Sequence, residues 1–268
     1  MENQIPFGIA NSVSANLDFD PLDTLAFAKH HQFAHVQIFL KEEEVSNAGL
    51  KKALHSNNGD FQSLFFHAHG RLNMQFLQSR YAIKLRSFLE AIDQRRCILH
   101  FDEQVPVDEA CTVVHKLSDQ GFQIYLENYF DGEGQAQAEK NLKKYLALFT
   151  LLNSGKHLLW PVLDIARFFH PKLCFTQQQA LTWCFQLFNY FSNRQQKILF
   201  HLIDLKEPSQ ERKRFCAVLE GVLPYREIFR FMHKNRIPMQ SLIFEFEDKL
   251  NPLRSRDNIS RFWQELSR

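Results

Sequence analysis

The chain has 268 residues, 45% hydrophobic and 23% charged, the balance of a soluble globular protein that can bury a real core. Its net charge of +2 does not suggest a dedicated nucleic-acid binder, and no run of eighteen apolar residues predicts a membrane-spanning helix. Five cysteines (Cys97, Cys111, Cys174, Cys184, Cys216) lie far apart with no C-x-x-C pair, which argues against a disulfide framework and for a reducing, cytoplasmic setting.

The N-terminus shows no basic segment followed by an apolar one, so no signal peptide is expected. Phe7–Ala10 (FGIA) reads as a first strand, and DPLDTLAFAKHHQ as a helix with Asp20 as cap and Pro21 at its first position. Residues 34–40 (AHVQIFL) and 62–69 (QSLFFHAH) predict the second and third strands. NMQFLQSRYAIKLRSFLEAIDQ has the apolar period of one long helix. CILHF (97–101) is the fourth strand; a helix then starts at Pro106 and stops at Gly121. FQIYLEN (122–128) is the fifth, followed by a helix ending at Gly155. LLWPVLD (158–164) is the sixth, followed by the helix TQQQALTWCFQLFNYFSNRQQ. KILFHLID (197–204) is the seventh, and a long loop over residues 204–224 follows it, of a length that suggests function. The helix PYREIFRFMHKNR, the eighth strand SLIFEFE (241–247) and the helix SRDNISRFWQELSR complete the chain.

Strands that alternate with helices pair in parallel through right-handed crossovers. Eight such units predict an α/β fold, a single (β/α)8 TIM-barrel domain over residues 1–268. The first turn, GIANSVSANLD, lacks G-x-G-x-x-G, so nothing supports a doubly wound dinucleotide-binding sheet.

Catalytic groups of such a barrel sit where strands end. From the third strand onward each end offers a ligand-type side chain: His67 and His69, His100, Glu127, Asp164, His201, then Glu245 with Glu247 beside it. Any one of them alone reads as an ordinary core or rim residue. A ring of buried carboxylates, however, needs positive charge at its centre. Mixed oxygen and imidazole donors suit one divalent ion among Mn, Zn, Mg, Fe and Co, and the lack of cysteine in the ring argues against structural zinc. Asp204 and Lys206 read as loop groups at the mouth.

HAHGRLN, LEN, LD, HLIDLK and LIFE, in that order on strands three and five to eight, resemble the xylose isomerase-like TIM-barrel superfamily. That superfamily includes the sugar (phosphate) isomerases and epimerases and endonuclease IV. The resemblance implies that Glu127, Asp164, His201 and Glu245 hold one metal ion. It further implies that Glu127 and Glu245 are catalytic and move a proton next to a metal-polarised carbonyl. The substrate it implies is a small sugar, polyol or sugar phosphate. His67 and His100, with His69 as the alternative to His67, match histidines that hold additional metals in the endonuclease IV branch. Two departures stand out. Arg167 replaces the histidine usual three residues after the strand-six Asp, and Lys213 and Phe215 stand where the trinuclear enzymes carry an Asp-x-His pair. Arg167 and Lys206 are accordingly candidates for binding a substrate anion, and pairing with a neighbouring acid on the rim is the other reading of Arg167. An endonuclease IV-like phosphodiester hydrolase and a catalytically decayed binding barrel are the alternative readings. Phe-rich helical faces such as CFQLFNYF leave a homo-oligomer open.

Overall fold

The computed structural model describes residues 5–57, 59–154, 157–207 and 215–268. Eight parallel strands close a barrel: β1 (Phe7–Ala10), β2 (His35–Leu40), β3 (Ser63–Arg71), β4 (Arg96–His100), β5 (Gln123–Glu127), β6 (Leu159–Asp164), β7 (Ile198–Leu202) and β10 (Met239–Phe244). Their order around the barrel follows the sequence, with β10 pairing β7 on one side and β1 on the other. The fold expected from alternation is therefore present. The period of two along each strand decides which residues face inward. Ala10, Phe65, Ile98, Tyr125, Val162, Leu199 and Ile243 fill the barrel, with Trp160 packed against them. Their neighbours in sequence, such as Phe66, Leu99, Leu126, Leu163, Phe200 and Leu242, turn outward into the layer shared with the helices. A methyl group on Gly8 would lie 2.4 Å from Ile243 Cδ1 and 2.9 Å from His35 Cβ, so only glycine lets β1 close the barrel there.

The helices are α1 (Pro21–His30), α2 (Ala48–Ser56), α3 (Met74–Gln78), α4 (Arg80–Ala91), α5 (Val107–Asp119), α6 (Gln135–Leu152), α7 (Ile165–Phe168), α8 (Gln177–Ser192), α9 (Tyr225–Lys234) and α10 (Leu250–Leu266). Asp20 caps α1 by accepting from Leu22 N, as its position before Pro21 predicts. The stretch expected as one long helix is two. Ser79 is extended (φ −71°, ψ 148°), and its hydroxyl accepts from Ala82 N to begin α4. The segmentation also passes over α2, whose nine residues bury only Leu50 and Leu54. Gly121, with φ +90°, follows α5 as expected, whereas Gly155 lies outside the described residues.

The seventh strand is shorter than its apolar run. β7 stops at Leu202, and β8 (Asp204–Leu205) pairs antiparallel with β9 (Phe215–Cys216) outside the barrel. Asp204 is fully buried and gathers the returning chain. Its Oδ1 accepts from Leu205 N (2.8 Å) and Leu223 N (3.2 Å), and its Oδ2 from Leu219 N (3.1 Å) and Gly221 N (3.0 Å). Asp204→Ala would orphan those donors and is expected to cost on the order of 3 kcal/mol. Guanidinium unfolding measures it, and a loss below about 0.5 kcal/mol would show that the loop holds itself.

At the other end of the barrel, His35 is buried, and neither ring nitrogen has a hydrogen-bond partner among the described residues. Burial, then the charge of Arg96, pushes its pKa down to about 4. The unfolded chain therefore takes up a proton below its ordinary pKa of 6.5 that the folded protein refuses until about pH 4. Stability contributed at this site is present at pH 7 and is lost as pH falls through that window. Relative to wild type, His35→Leu is expected to gain up to about 2–3 kcal/mol on going from pH 7 to pH 4.5 in urea unfolding. Parallel pH profiles of the two proteins would refute the assignment.

Candidate active site

The strand ends converge on Glu127, whose side chain is almost completely buried. Its Oε2 lies 3.2 Å from His67 Nε2, 3.6 Å from His100 Nε2 and 3.4 Å from His201 Nδ1. Its Oε1 lies 3.1 Å from Arg167 Nε, which is also 2.9 Å from Asp164 Oδ2. Glu245 reaches in from the end of β10, with Oε1 3.2 Å from His201 Nδ1. Six of the expected residues (His67, His100, Glu127, Asp164, His201 and Glu245) thus stand with Arg167 at one end of the barrel. His69 is exposed beside Phe39, and Lys206 is exposed on a rim cleft with Phe215, Cys216, Glu220 and Arg254. Glu247 is half-buried beyond the strand, and Lys213 lies outside the described residues.

Local structure fixes these positions. Asn128, just after β5, donates from Nδ2 to Asp164 O (3.2 Å) and accepts Asp164 N at Oδ1 (2.7 Å), which clamps the ends of β5 and β6 together. Asp164 caps α7 by accepting from Ala166 N (3.0 Å), and that single turn carries Arg167 back over Glu127. The Arg167 guanidinium lies 4.0 Å from the Tyr129 ring centroid, and Tyr129 packs in turn on His100 at 4.3 Å.

Gln37 is the residue that strand-end reasoning passes over. It sits inside β2, buried, on the same inward parity as His35. Its Nε2 donates to Glu245 Oε1 (2.8 Å), which leaves its Oε1 to meet His201 Nε2 at 2.7 Å. His201 therefore carries its proton on Nε2 and points an Nδ1 lone pair at two carboxylates. The Nδ1 atom of His201 and the Nε2 atom of His67 are buried and make no well-directed hydrogen bond among the described residues.

Electrostatics divide the acids. Burial alone would raise Glu127, but His100, His201, Arg167 and the His67 contact hold it well below the usual carboxylate range. Burial lifts Asp164 to about 6, with Arg167 opposing and the charges of Glu127 and Glu245 assisting. Burial and the charge of Glu127 lift Glu245 to about 7. Burial drives His100 down to about 3 and also lowers His201, so both imidazoles are neutral at pH 7. Arg167 stays charged, because Asp164 and Glu127 outweigh its burial.

The donor set fits a divalent ion on the Oε2 side of Glu127. From Glu127 Oε2, His67 Nε2 at 3.2 Å and His100 Nε2 at 3.6 Å stand near the donor spacing of about 3.4 Å that bonds of about 2.1 Å produce around a tetrahedral metal. Ligand atoms of His67, His100 and Glu127 all lie within 4.8 Å of one another. The Oε1 side does not fit equally well, because Arg167 stands between Glu127 and Asp164.

No family model and no curated protein matches the chain. Solved structures do. A xylose isomerase domain protein from Planctomyces limnophilus aligns with TM-score 0.65 at 13% identity, over 100% of this chain and 99% of its own. The IolI protein with a bound zinc atom aligns with TM-score 0.64 at 10% identity, over 98% of each chain. An L-ribulose 3-epimerase aligns with TM-score 0.58 at 12% identity, over 98% and 96%. At these identities the likeness is one of architecture: the chain has the (β/α)8 TIM-barrel fold that it shares with these structures.

Proposed function

We propose that the protein is a divalent-metal-dependent isomerase or epimerase of a small sugar or sugar-phosphate-like substrate. The observation that carries this reading is the pair of buried imidazole nitrogens, His201 Nδ1 and His67 Nε2, which face the carboxylates of Glu127 and Glu245 and make no well-directed hydrogen bond among the described residues. The Nδ1 lone pair of His201 facing carboxylates is unfavourable unless a cation or a shared proton lies between them. Glu127, His201 and Glu245, with His67 and His100, would hold the ion. A bound ion supplies a Lewis acid that stabilises negative charge on a substrate oxygen. Glu127 and Glu245 would exchange the proton at the neighbouring carbon, and their surroundings push their proton affinities apart, as an acid–base pair requires. Gln37 holds Glu245 and sets the tautomer of His201. The epimerase among the fold neighbours supports a sugar as substrate.

The compact His67, His100 and Glu127 group supports a second reading, since endonuclease IV relatives place a further metal on such residues. A phosphodiester hydrolase would bind two or three ions and cut DNA at an abasic site; one ion without cleavage removes it.

Elemental analysis of protein purified without chelator is expected to find about one divalent ion per chain. Glu245→Gln should lower turnover on a panel of ketoses, aldoses and their phosphates by about a hundredfold or more, with an unchanged circular dichroism spectrum. Stoichiometric metal with tight sugar binding and no turnover would replace the enzyme reading by that of a binding barrel. Gln37→Leu should weaken metal binding by about ten- to a hundredfold while leaving every ligand in place. An unchanged affinity would show that Gln37 does not orient His201.

A further inference from the structure

We infer that Arg167 is a built-in countercharge that withholds Asp164 from metal and confines this barrel to a single ion on the Oε2 side of Glu127. The inference rests on the metal reading of the site for the ion itself, but the part assigned to Arg167 can be tested apart from it.

One nitrogen carries the argument. Arg167 Nε lies within hydrogen-bond distance of Glu127 Oε1 and of Asp164 Oδ2, at 3.1 and 2.9 Å. Two carboxylates brought together in a buried site need a positive charge between them, and the guanidinium supplies one. Its position is held at three points. The α7 turn begins on the Asp164 cap, the Asn128 clamp fixes Asp164 itself, and Tyr129 covers the guanidinium from one side. Asp164 is also committed elsewhere, since its other oxygen accepts from Ala166 N. Its neighbour on the ring is committed in the opposite sense. Glu127 Oε2 faces three imidazoles, whereas the guanidinium of Arg167 meets Oε1. The two oxygens of one carboxylate thus serve two different positive charges, one covalently attached to the chain and one exchangeable. An ion that recruited Asp164 would have to displace Arg167 from a site where the arginine is already paired twice, and unit charges a few ångströms apart repel strongly at low dielectric.

The test is Mn²⁺ binding, followed by calorimetry and electron paramagnetic resonance, on wild type and four variants. Wild type is expected to take one equivalent. His67→Ala should lose at least about a hundredfold in affinity, whereas Asp164→Asn should lose less than about tenfold. Arg167→Met, which frees both carboxylates, should bind Mn²⁺ at least about tenfold more tightly or take a second equivalent. It should also melt lower than wild type in EDTA and gain more melting temperature from added Mn²⁺. Arg167→Lys keeps the charge and should retain the wild-type stoichiometry. A loss in Asp164→Asn as large as that in His67→Ala, or no change in Arg167→Met, overturns the inference. Binding in Arg167→Met with none in wild type would sink the metal reading of the natural site yet support the role of Arg167. No binding in either protein overturns both.

Discussion

A carboxylate buried to the extent of Glu127 cannot stay ionised without nearly equal compensation, and most of this protein's upper barrel exists to provide it. Each neighbour of that group arrives from a different strand or turn: His67 from β3, His100 from β4, Arg167 from α7 after β6, and His201 from β7. Only a closed ring of parallel strands presents so many chain segments to one point with every strand pointing the same way. The barrel is thus the scaffold for the charge, and the charge explains why this end of the barrel is polar while its middle is filled by Phe65, Ile98, Tyr125 and Ile243.

The supports around the site act across long sequence separations. Gln37 joins β2, across the neighbouring β1, to residues 164 and 208 positions away on β7 and just beyond β10. Asn128 ties the end of β5 to that of β6 in both hydrogen-bonding senses. Such contacts convert the general tolerance of barrel loops into a rigid geometry at the few atoms that matter. They also divide labour: imidazoles line one edge of Glu127, and a permanent cation lines the other.

Much of this architecture is legible in the sequence. Apolar runs of strand length, separated by helical periods, suffice to predict eight parallel strands, and reading their last residues leads directly to His67, His100, Glu127, Asp164, His201 and Glu245. What escaped did so for physical reasons. Gln37 lies in mid-strand, where a polar residue between Val36 and Ile38 resembles an outward-facing surface position; only its shared parity with His35 hints that it points inward. Tyr129 and Asn128 follow the strand-five Glu in a loop, and loops carry no period. The dual pairing of Arg167 depends on distances between the ends of β5 and β6, which no linear pattern encodes. Ser79 splits a continuous helical pattern because its hydroxyl competes for the backbone, a local choice that apolar periodicity does not register. The pairing of β8 with β9 likewise depends on the buried Asp204 drawing the chain back.

Beneath the site, the packed middle layer and Trp160 make a solid floor. On the side away from that floor, His100 is covered by Tyr129, and Tyr129 in turn by the Arg71 guanidinium. Arg71 stacks on the far reaches of Tyr129 at 5.0 Å and pairs with Asp131, which Lys172 also approaches at 3.6 Å. The outermost layer over the imidazoles is thus a group of paired charges, and substitutions at Arg71 or Asp131 would change the field felt at this end of the barrel.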